Sequence, residues 1–367
     1  MSMHVLWFTA RSFSDLCSTT QSALIQGLRE DGHTVCLVNP DPEPPFLHDG
    51  VDHVSLPMSS RRGFQARSLS SAMVTWLGQC EVNAKETVAV VEWRVAPRLG
   101  PALNHRGLRW VLMDRSPPAD GSLFGRLQWS SWKNAWRLAR RSAVPGCVVS
   151  PSHQAFVNQR IGPCETVVLP AGVDLEAFKP GAKDGPLTMV YHGRLDRNRG
   201  VLAAVMLAHK ARQEHIDVRL TFIGEGDAQA HIKAYAEQDD TIELLGKQSR
   251  SDVALHLGRC HVGLLPMPAT KVWTLASPLK RSEYLASGLC VFGIDHEGHR
   301  LAESNEAWLR LVSQDDFLEA GVAFLSELME RRLSAGEAAR AYAQTHLGWH
   351  TAQQNLVDAL HRAMSDS

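Results

Sequence analysis

The chain has almost no charge of one sign to spare: 38 Lys and Arg face 39 Asp and Glu, a formal net charge of −1. No overall field draws it to nucleic acid or to a membrane, so any basic surface must be local. Paired cysteines are also missing. The seven present are scattered with no Cys-x-x-Cys, which points to a reducing compartment and excludes a disulfide framework or a cysteine zinc site. The 17 histidines include no His-Glu-x-x-His, and the chain holds no Asp-x-Asp of the kind that chelates a divalent ion beside a sugar nucleotide; no bound metal or cofactor is expected. No run approaches the roughly 20 apolar residues of a spanning helix. The opening Met3–Thr9 is too short and lacks the basic flank of a signal peptide, so a cytoplasmic protein is expected.

What is present is the composition of a globular protein, 44% hydrophobic and 21% charged over 367 residues. That length exceeds one ordinary core, and two domains are expected. Residues 3–9 read as a strand, 19–30 as an amphipathic helix ended by Asp31-Gly32, and 34–39 as a second strand, the opening of a doubly wound α/β domain. A loop over 39–45, a helix over 64–79, strands at 87–91 and 109–113, a helix over 123–141 and strands near 147–149 and 166–169 continue it. The Pro- and Gly-rich stretch 170–186 reads as an inter-domain linker. Strands at 187–191, 218–223, 242–244, 262–265 and 290–294 then alternate with helical segments, and the tail from Phe317 is mostly helical.

The most informative stretch is Ser277 to Gly293. Ser277 reads as an N-cap with Pro278 at the first helical position, and Gly288 is placed to end the helix. Such a start presents N–H groups and partial positive charge to an anion, and Lys280 adds a full charge. Glu283, one turn in, can accept hydrogen bonds from a vicinal diol such as a ribose. Alone, the segment reads better as a capped surface helix with solvated Lys and Glu. What precedes it favours function: Gly193, Arg194 and Arg199 follow a strand and open a helix, where guanidinium groups can grip phosphate oxygens. Phe222-Ile223-Gly224-Glu225-Gly226 starts like a dinucleotide fingerprint but has Gln229 in place of the third glycine. A turn that brings backbone to a ligand, or a plain turn, fits better than a dehydrogenase.

In the first half, Glu92 and Asp114 fall at the carboxyl ends of strands, where α/β sheets place ligands. Each reads as a catalytic base or charge stabiliser, or equally as a helix-capping carboxylate. Trp129, Trp132 and Trp136 share one face of a helix beside Arg126, Lys133, Arg137 and Arg140. Packing in the core is the favoured reading; a peripheral contact with the inner face of a membrane, or with a lipid-linked acceptor, is the other. Arg61, Arg62 and Arg67 in a Ser-rich stretch extend the basic surface.

Taken together, Gly193-Arg194-Leu195…Gly200, Phe222 to Gly226, Leu245-Gly246, Pro170 to Asp174 with Phe178-Lys179-Pro180, and the Ser-Pro-Leu-Lys-x-x-Glu-Tyr run at 277–284 resemble glycosyltransferase family four, in a Ser-Pro-x-Lys-x-x-Glu-Tyr subtype. Leu28 to Val35 resembles the family's first helix and second strand. The resemblance implies an α/β GT-B fold of two Rossmann-like domains facing a cleft, residues 1–170 with a returning helix at 350–367 and residues 171–349. It implies a retaining, metal-independent hexosyltransferase that moves a sugar from a nucleoside diphosphate-sugar to a glycan, lipid-linked or small-molecule acceptor. Gly193, Arg194, Arg199, Gly224, Gly226, Ser277, Leu279, Lys280 and Glu283 would bind the donor. Asp114 and Glu92 would be catalytic, and Ser12, Arg94 and Arg115 would face the acceptor. The chain departs from the family with Leu275 where a second Glu stands, Asp114 where His is common, Arg199 where Lys is usual, and Arg11 to Ser14 where a glycine pair is frequent. An epimerase of the same fold and a catalytically silent binder are the alternatives.

Overall fold

The computed structural model describes residues 2–13, 18–42, 50–118 and 123–365. Ser14 of the Arg11–Ser14 stretch and residues 43–45 of the expected loop over 39–45 lie outside the described residues. The chain forms two compact units, Met1–Pro170 with Trp349–Ser367, and Ala171–Gly348.

In unit 1 the described strands are β1 (His4–Phe8), β2 (Thr34–Asn39), β3 (Val51–Ser55), β4 (Thr87–Glu92), β5 (Arg109–Met113), β6 (Gly146–Val148) and β7 (Thr166–Val168). All pair in parallel, in the order β3-β2-β1-β4-β5-β6-β7. β4, Thr-Val-Ala-Val-Val-Glu, is buried at every position, as expected of a β-branched strand covered on both faces. The helices α1 (Ser18–Glu30), α2 (Gln65–Gln79), α3 (Ala96–His105), α4 (Leu123–Arg141) and α5 (Pro151–Ile161) connect the strands. The chain returns to this unit with α12 (His350–Ser365), whose Leu356, Ala359 and Leu360 pack beside Leu24, Leu28 and Val111 in one core.

Unit 2 repeats the plan with β8 (Leu187–His192), β9 (Val218–Ile223), β10 (Ile242–Leu244), β11 (Val262–Leu265), β12 (Cys290–Ile294) and β13 (Leu309–Val312). Their order is β10-β9-β8-β11-β12-β13, again parallel. The helices are α6 (Val201–Gln213), α7 (Gln229–Ala236), α8 (Arg250–Gly258), α9 (Lys271–Thr274), α10 (Leu279–Ala286) and α11 (Phe317–His346).

The stretch expected to be a linker is part of unit 2. Val173 and Phe178 are buried in its core, and Arg340 donates to the carbonyls of Leu175, Phe178 and Ala286. Its prolines and glycines shape a packed loop whose backbone carbonyls are satisfied by that guanidinium. The three tryptophans settle as the core reading has it: Trp132 and Trp136 are fully buried and only Trp129 is partly exposed, so they offer no membrane-facing stripe.

Candidate functional site

In each sheet the strand order reverses at one place, between β1 and β4 in unit 1 and between β8 and β11 in unit 2. Parallel sheets bind ligands in the crevice that such a reversal opens at the carboxyl ends.

In unit 2 that place is organised by α10. Every residue from Lys280 to Ala286 is buried, which removes the reading of a surface helix with solvated Lys and Glu. The helix can lie this close because β11 carries Gly263, where a Cβ would meet the Tyr284 ring at 2.2 Å. The Tyr284 hydroxyl then accepts from His192 N at 3.1 Å, which ties α10 to the end of β8. Pro278, with extended backbone, is the N-cap, and it has no side-chain cap. Ser277 is therefore not the expected cap: the residue before a proline is held extended, and its Oγ accepts instead from Ala171 N at 3.0 Å. The first-turn N–H groups, starting at Leu279, are thus left without a capping side chain. Gly288, with φ +68°, follows the helix end as expected.

Lys280 Nζ lies 3.0 Å from the Tyr191 hydroxyl and 4.2 Å from the centre of its ring. A Cβ built on Gly193, itself at φ +112°, would stand 3.4 Å from that ammonium. Burial, and then the Arg199 charge, bring the Lys280 pKa down to about 7, so the full charge expected in this turn is present only below neutral pH. A diphosphate placed beside it would favour the charged form. Binding of a nucleotide sugar, whose diphosphate diester does not titrate here, should take up a proton above pH 7. Affinity is then expected to fall as pH rises from 7 to 9, by up to about tenfold per unit, and Lys280→Met should flatten that profile. Calorimetry in buffers of different ionisation enthalpy reads the uptake directly.

Glu283 lies on the same helix, with Oε2 3.2 Å from His192 Nε2 and Oε1 3.4 Å from Arg250 Nη1. Burial pushes its carboxyl up, but His192, Arg250 and Lys280 together hold it below the ordinary carboxylate range. It is an ionised acceptor. Arg250 in turn stacks over Phe178 at 5.0 Å. Arg194 and Arg199 converge on one carboxylate, Asp196, at 3.0 and 3.3 Å, and Arg199 also covers the Trp273 ring at 4.4 Å. Leu279 begins α10 and is partly exposed.

Gly224 and Gly226 do not open space for a ligand. A Cβ on Gly224 would stand 1.9 Å from the Gly193 carbonyl oxygen, and one on Gly226 would stand 2.4 Å from the Leu195 backbone. They let two loops pack backbone to backbone, with Leu195 N bonding Glu225 O at 2.9 Å, and so fix Gly193. The structure thus gathers Gly193, Arg199, Lys280 and Glu283, with Arg194 at the more exposed rim. It adds Tyr191, His192, Asp196, Arg250 and Trp273. Of these, Asp196 stood inside the quoted Gly193–Gly200 run and His192 just before it; Tyr191 read as strand core, and nothing in the local sequence marks Trp273.

In unit 1, Glu92 has both carboxylate oxygens engaged. Oε2 accepts from Thr9 Oγ1 at 2.8 Å and Ala10 N at 2.7 Å, and Oε1 pairs with Arg94 and lies 3.6 Å from Arg11 Nε. Burial raises its pKa, and Arg94, Arg11 and these N–H and O–H donors lower it further. Asp114 has no exposed surface. Its Oδ2 accepts from Trp132 Nε1 at 2.6 Å and Trp136 Nε1 at 2.9 Å, with His153 Nε2 at 3.2 Å. Both carboxylates act as anchors in this structure, Glu92 with both oxygens engaged and Asp114 through Oδ2 alone, its buried Oδ1 having no partner among the described residues. Glu92 holds the loop after β1, and Asp114 the aromatic face of α4. Arg94 is 31% exposed, Arg115 donates to Leu169 O at 2.9 Å, and Ser12 is half-buried in the same loop as Arg11. Among the described residues no group of three or more His, Cys, Asp or Glu side chains is gathered for a metal, and no helix is long and apolar enough to cross a membrane.

Two parallel Rossmann-like sheets of this kind define the GT-B class of α/β protein. The match to solved structures is close in fold and remote in sequence. Sucrose-phosphate synthase of Thermosynechococcus elongatus superposes with a TM-score of 0.79 at 15% identity, covering 100% of both chains. HepE of Anabaena, crystallised in complex with UDP, gives 0.70 at 14% identity over 99% of this chain and 100% of its own. Residues 186–331, within unit 2, match the family model described as glycosyl transferases group 1. A curated relative, the amylovoran biosynthesis glycosyltransferase AmsK of Erwinia amylovora, is 27% identical over 200 residues, 52% of this chain. The chain spans about half the length of that relative, 49%.

Proposed function

We propose that the protein is a glycosyltransferase that moves a sugar from a nucleoside diphosphate-sugar to an acceptor bound by unit 1. The observation that carries this reading is the meeting, at the β8/β11 reversal, of Lys280, Arg199 and an ionised Glu283 around Gly193. Anionic diphosphate oxygens suit the two cations and the uncapped first turn of α10, and the ribose diol suits Glu283. As the bond to the sugar breaks, charge grows on the departing diphosphate. Lys280, Arg199 and the helix N–H groups would offset it, which is the work a metal performs in other designs. His192 and Arg250 position the Glu283 carboxylate. UDP bound to HepE, and UDP with GlcNAc bound to the pneumococcal transferase GtfA, support a nucleotide-sugar donor. Retention of anomeric configuration and the Ser-Pro-x-Lys-x-x-Glu-Tyr subtype are part of the proposal and rest on the family resemblance.

The test is incubation with a panel of nucleotide sugars, with and without acceptors, while nucleoside diphosphate is measured. Release that rises with acceptor is the expected result, and the anomer of the product reads the stereochemistry. An altered sugar without release would make the protein an epimerase. Thermal stabilisation without turnover would make it a binder.

A further inference from the structure

Arg199 lies over the Trp273 ring at 4.4 Å. Trp273 in turn belongs to α9, a helix of four residues with none of them buried and no side-chain N-cap. A single helical turn does not hold its own shape, so Trp273 takes its place from what lies beneath it. That support is the loop after β12. Gly298 is buried there, and a Cβ on it would stand 2.0 Å from the Trp273 carbonyl oxygen and 3.2 Å from that of Ala276. Only a glycine lets the loop approach so closely.

The loop is itself fixed from two sides. His296 and His299, both buried, stack with ring centres 3.7 Å apart, and His299 Nδ1 donates to Ile294 O at 2.7 Å. The second hold is Arg281, next to Lys280 on α10, which donates from Nη1 to Gly298 O at 3.0 Å and to Arg300 O at 2.7 Å. Burial brings the Arg281 pKa down to about 10, so it is charged at neutral pH. Its partners are main-chain carbonyls, and it forms no ion pair among the described residues. A buried cation without a carboxylate is costly where an uncharged side chain could pack. Holding two carbonyls of one loop at fixed positions accounts for it.

We propose that Gly298, clamped by Arg281, is a positioning residue that sets the Arg199 guanidinium through Trp273. The purpose comes from the donor reading above, on which this step rests: α10 then aligns both cations of the diphosphate site, Lys280 directly and Arg199 through Arg281, Gly298 and Trp273.

Gly298→Ala is the direct test, since its methyl group must push the Trp273 carbonyl away, and Arg281→Met is the second variant. The first readout needs no ligand. In the wild type the Arg199 Nε–H proton signal is expected upfield of the other arginines, because the group lies over an indole face. In both variants it should return to the ordinary arginine range, as in Trp273→Leu. The second readout is affinity for UDP and GDP. The nucleotide that the wild type binds should bind about tenfold more weakly in each variant. In an Arg199→Met background the same changes should alter affinity by less than about twofold, because the group they position is gone. An unmoved Arg199 signal, wild-type affinity in Gly298→Ala, or an equal loss in both backgrounds would overturn the proposal; the last is what a merely structural role would give. If the signal moves and the wild type binds neither nucleotide, the support of Arg199 stands and the transferase reading falls.

Discussion

Replacing Glu283 by Gln is expected to weaken nucleotide-sugar binding by about 10- to 100-fold, because a hydrogen bond to a charged acceptor contributes about 1.5–3 kcal/mol. The carboxylate lies within 3.2 Å of His192 and 3.4 Å of Arg250, so it is held in place before any ligand arrives. The amide keeps the shape but loses the charge and one acceptor. A ribose would then find a donor where it needs a lone pair. The loss should appear in affinity for the nucleoside diphosphate as well as for the sugar nucleotide, since the contact is made to the part they share. Titration calorimetry with both ligands checks this, and equal affinities for wild type and variant would remove Glu283 from the donor site.

Asp114→Ala should have the largest effect on stability. Its Oδ2 takes donors from Trp132, Trp136 and His153, all fully buried. Removing one partner of such a buried network costs about 3–5 kcal/mol, because the remaining donors are left in the core without water. For a unit of this size each kcal/mol lowers the melting temperature by about 2–4 °C, so a fall of about 6–20 °C is expected. Burial raises the Asp114 pKa, but His153, Trp136 and Trp132 bring it below its ordinary value. A carboxylate depressed in the folded state stabilises above its unfolded pKa, and that contribution is lost as pH falls through the folded value. The wild type should therefore lose stability below about pH 4, and Asp114→Ala should show a flatter acid limb. Tryptophan emission should shift to longer wavelength as Trp132 and Trp136 lose their partner. An unchanged melting temperature would return Asp114 to the list of candidate catalytic groups.

The alternation of apolar strands and amphipathic helices made both sheets legible, and β4, β8 and β12 appear where their β-branched runs stood. β3 and β13 were not read from the sequence. Neither is fully buried, and Val-Asp-His-Val-Ser and Leu-Arg-Leu-Val owe their extended form to the neighbouring strand more than to their own pattern. The donor residues were legible because charge and glycine sit at strand ends. Their partners were not: Tyr191, Arg250 and Trp273 come together only through the sheet reversal and the close seat of α10 on Gly263. The position of Glu92 and Asp114 at strand ends was legible, and the anchoring contacts each makes were not. A strand end shows where a carboxylate lies, but only the donors around it show whether a lone pair is left over.

The most direct measurement is a crystal structure of the protein soaked with UDP or a UDP-sugar. The account predicts the diphosphate beside Gly193, between the Lys280 ammonium and the Arg199 guanidinium, with the ribose hydroxyls on Glu283. A nucleotide seated elsewhere at saturating concentration, with Lys280 still on Tyr191 and Glu283 still between His192 and Arg250, would contradict it.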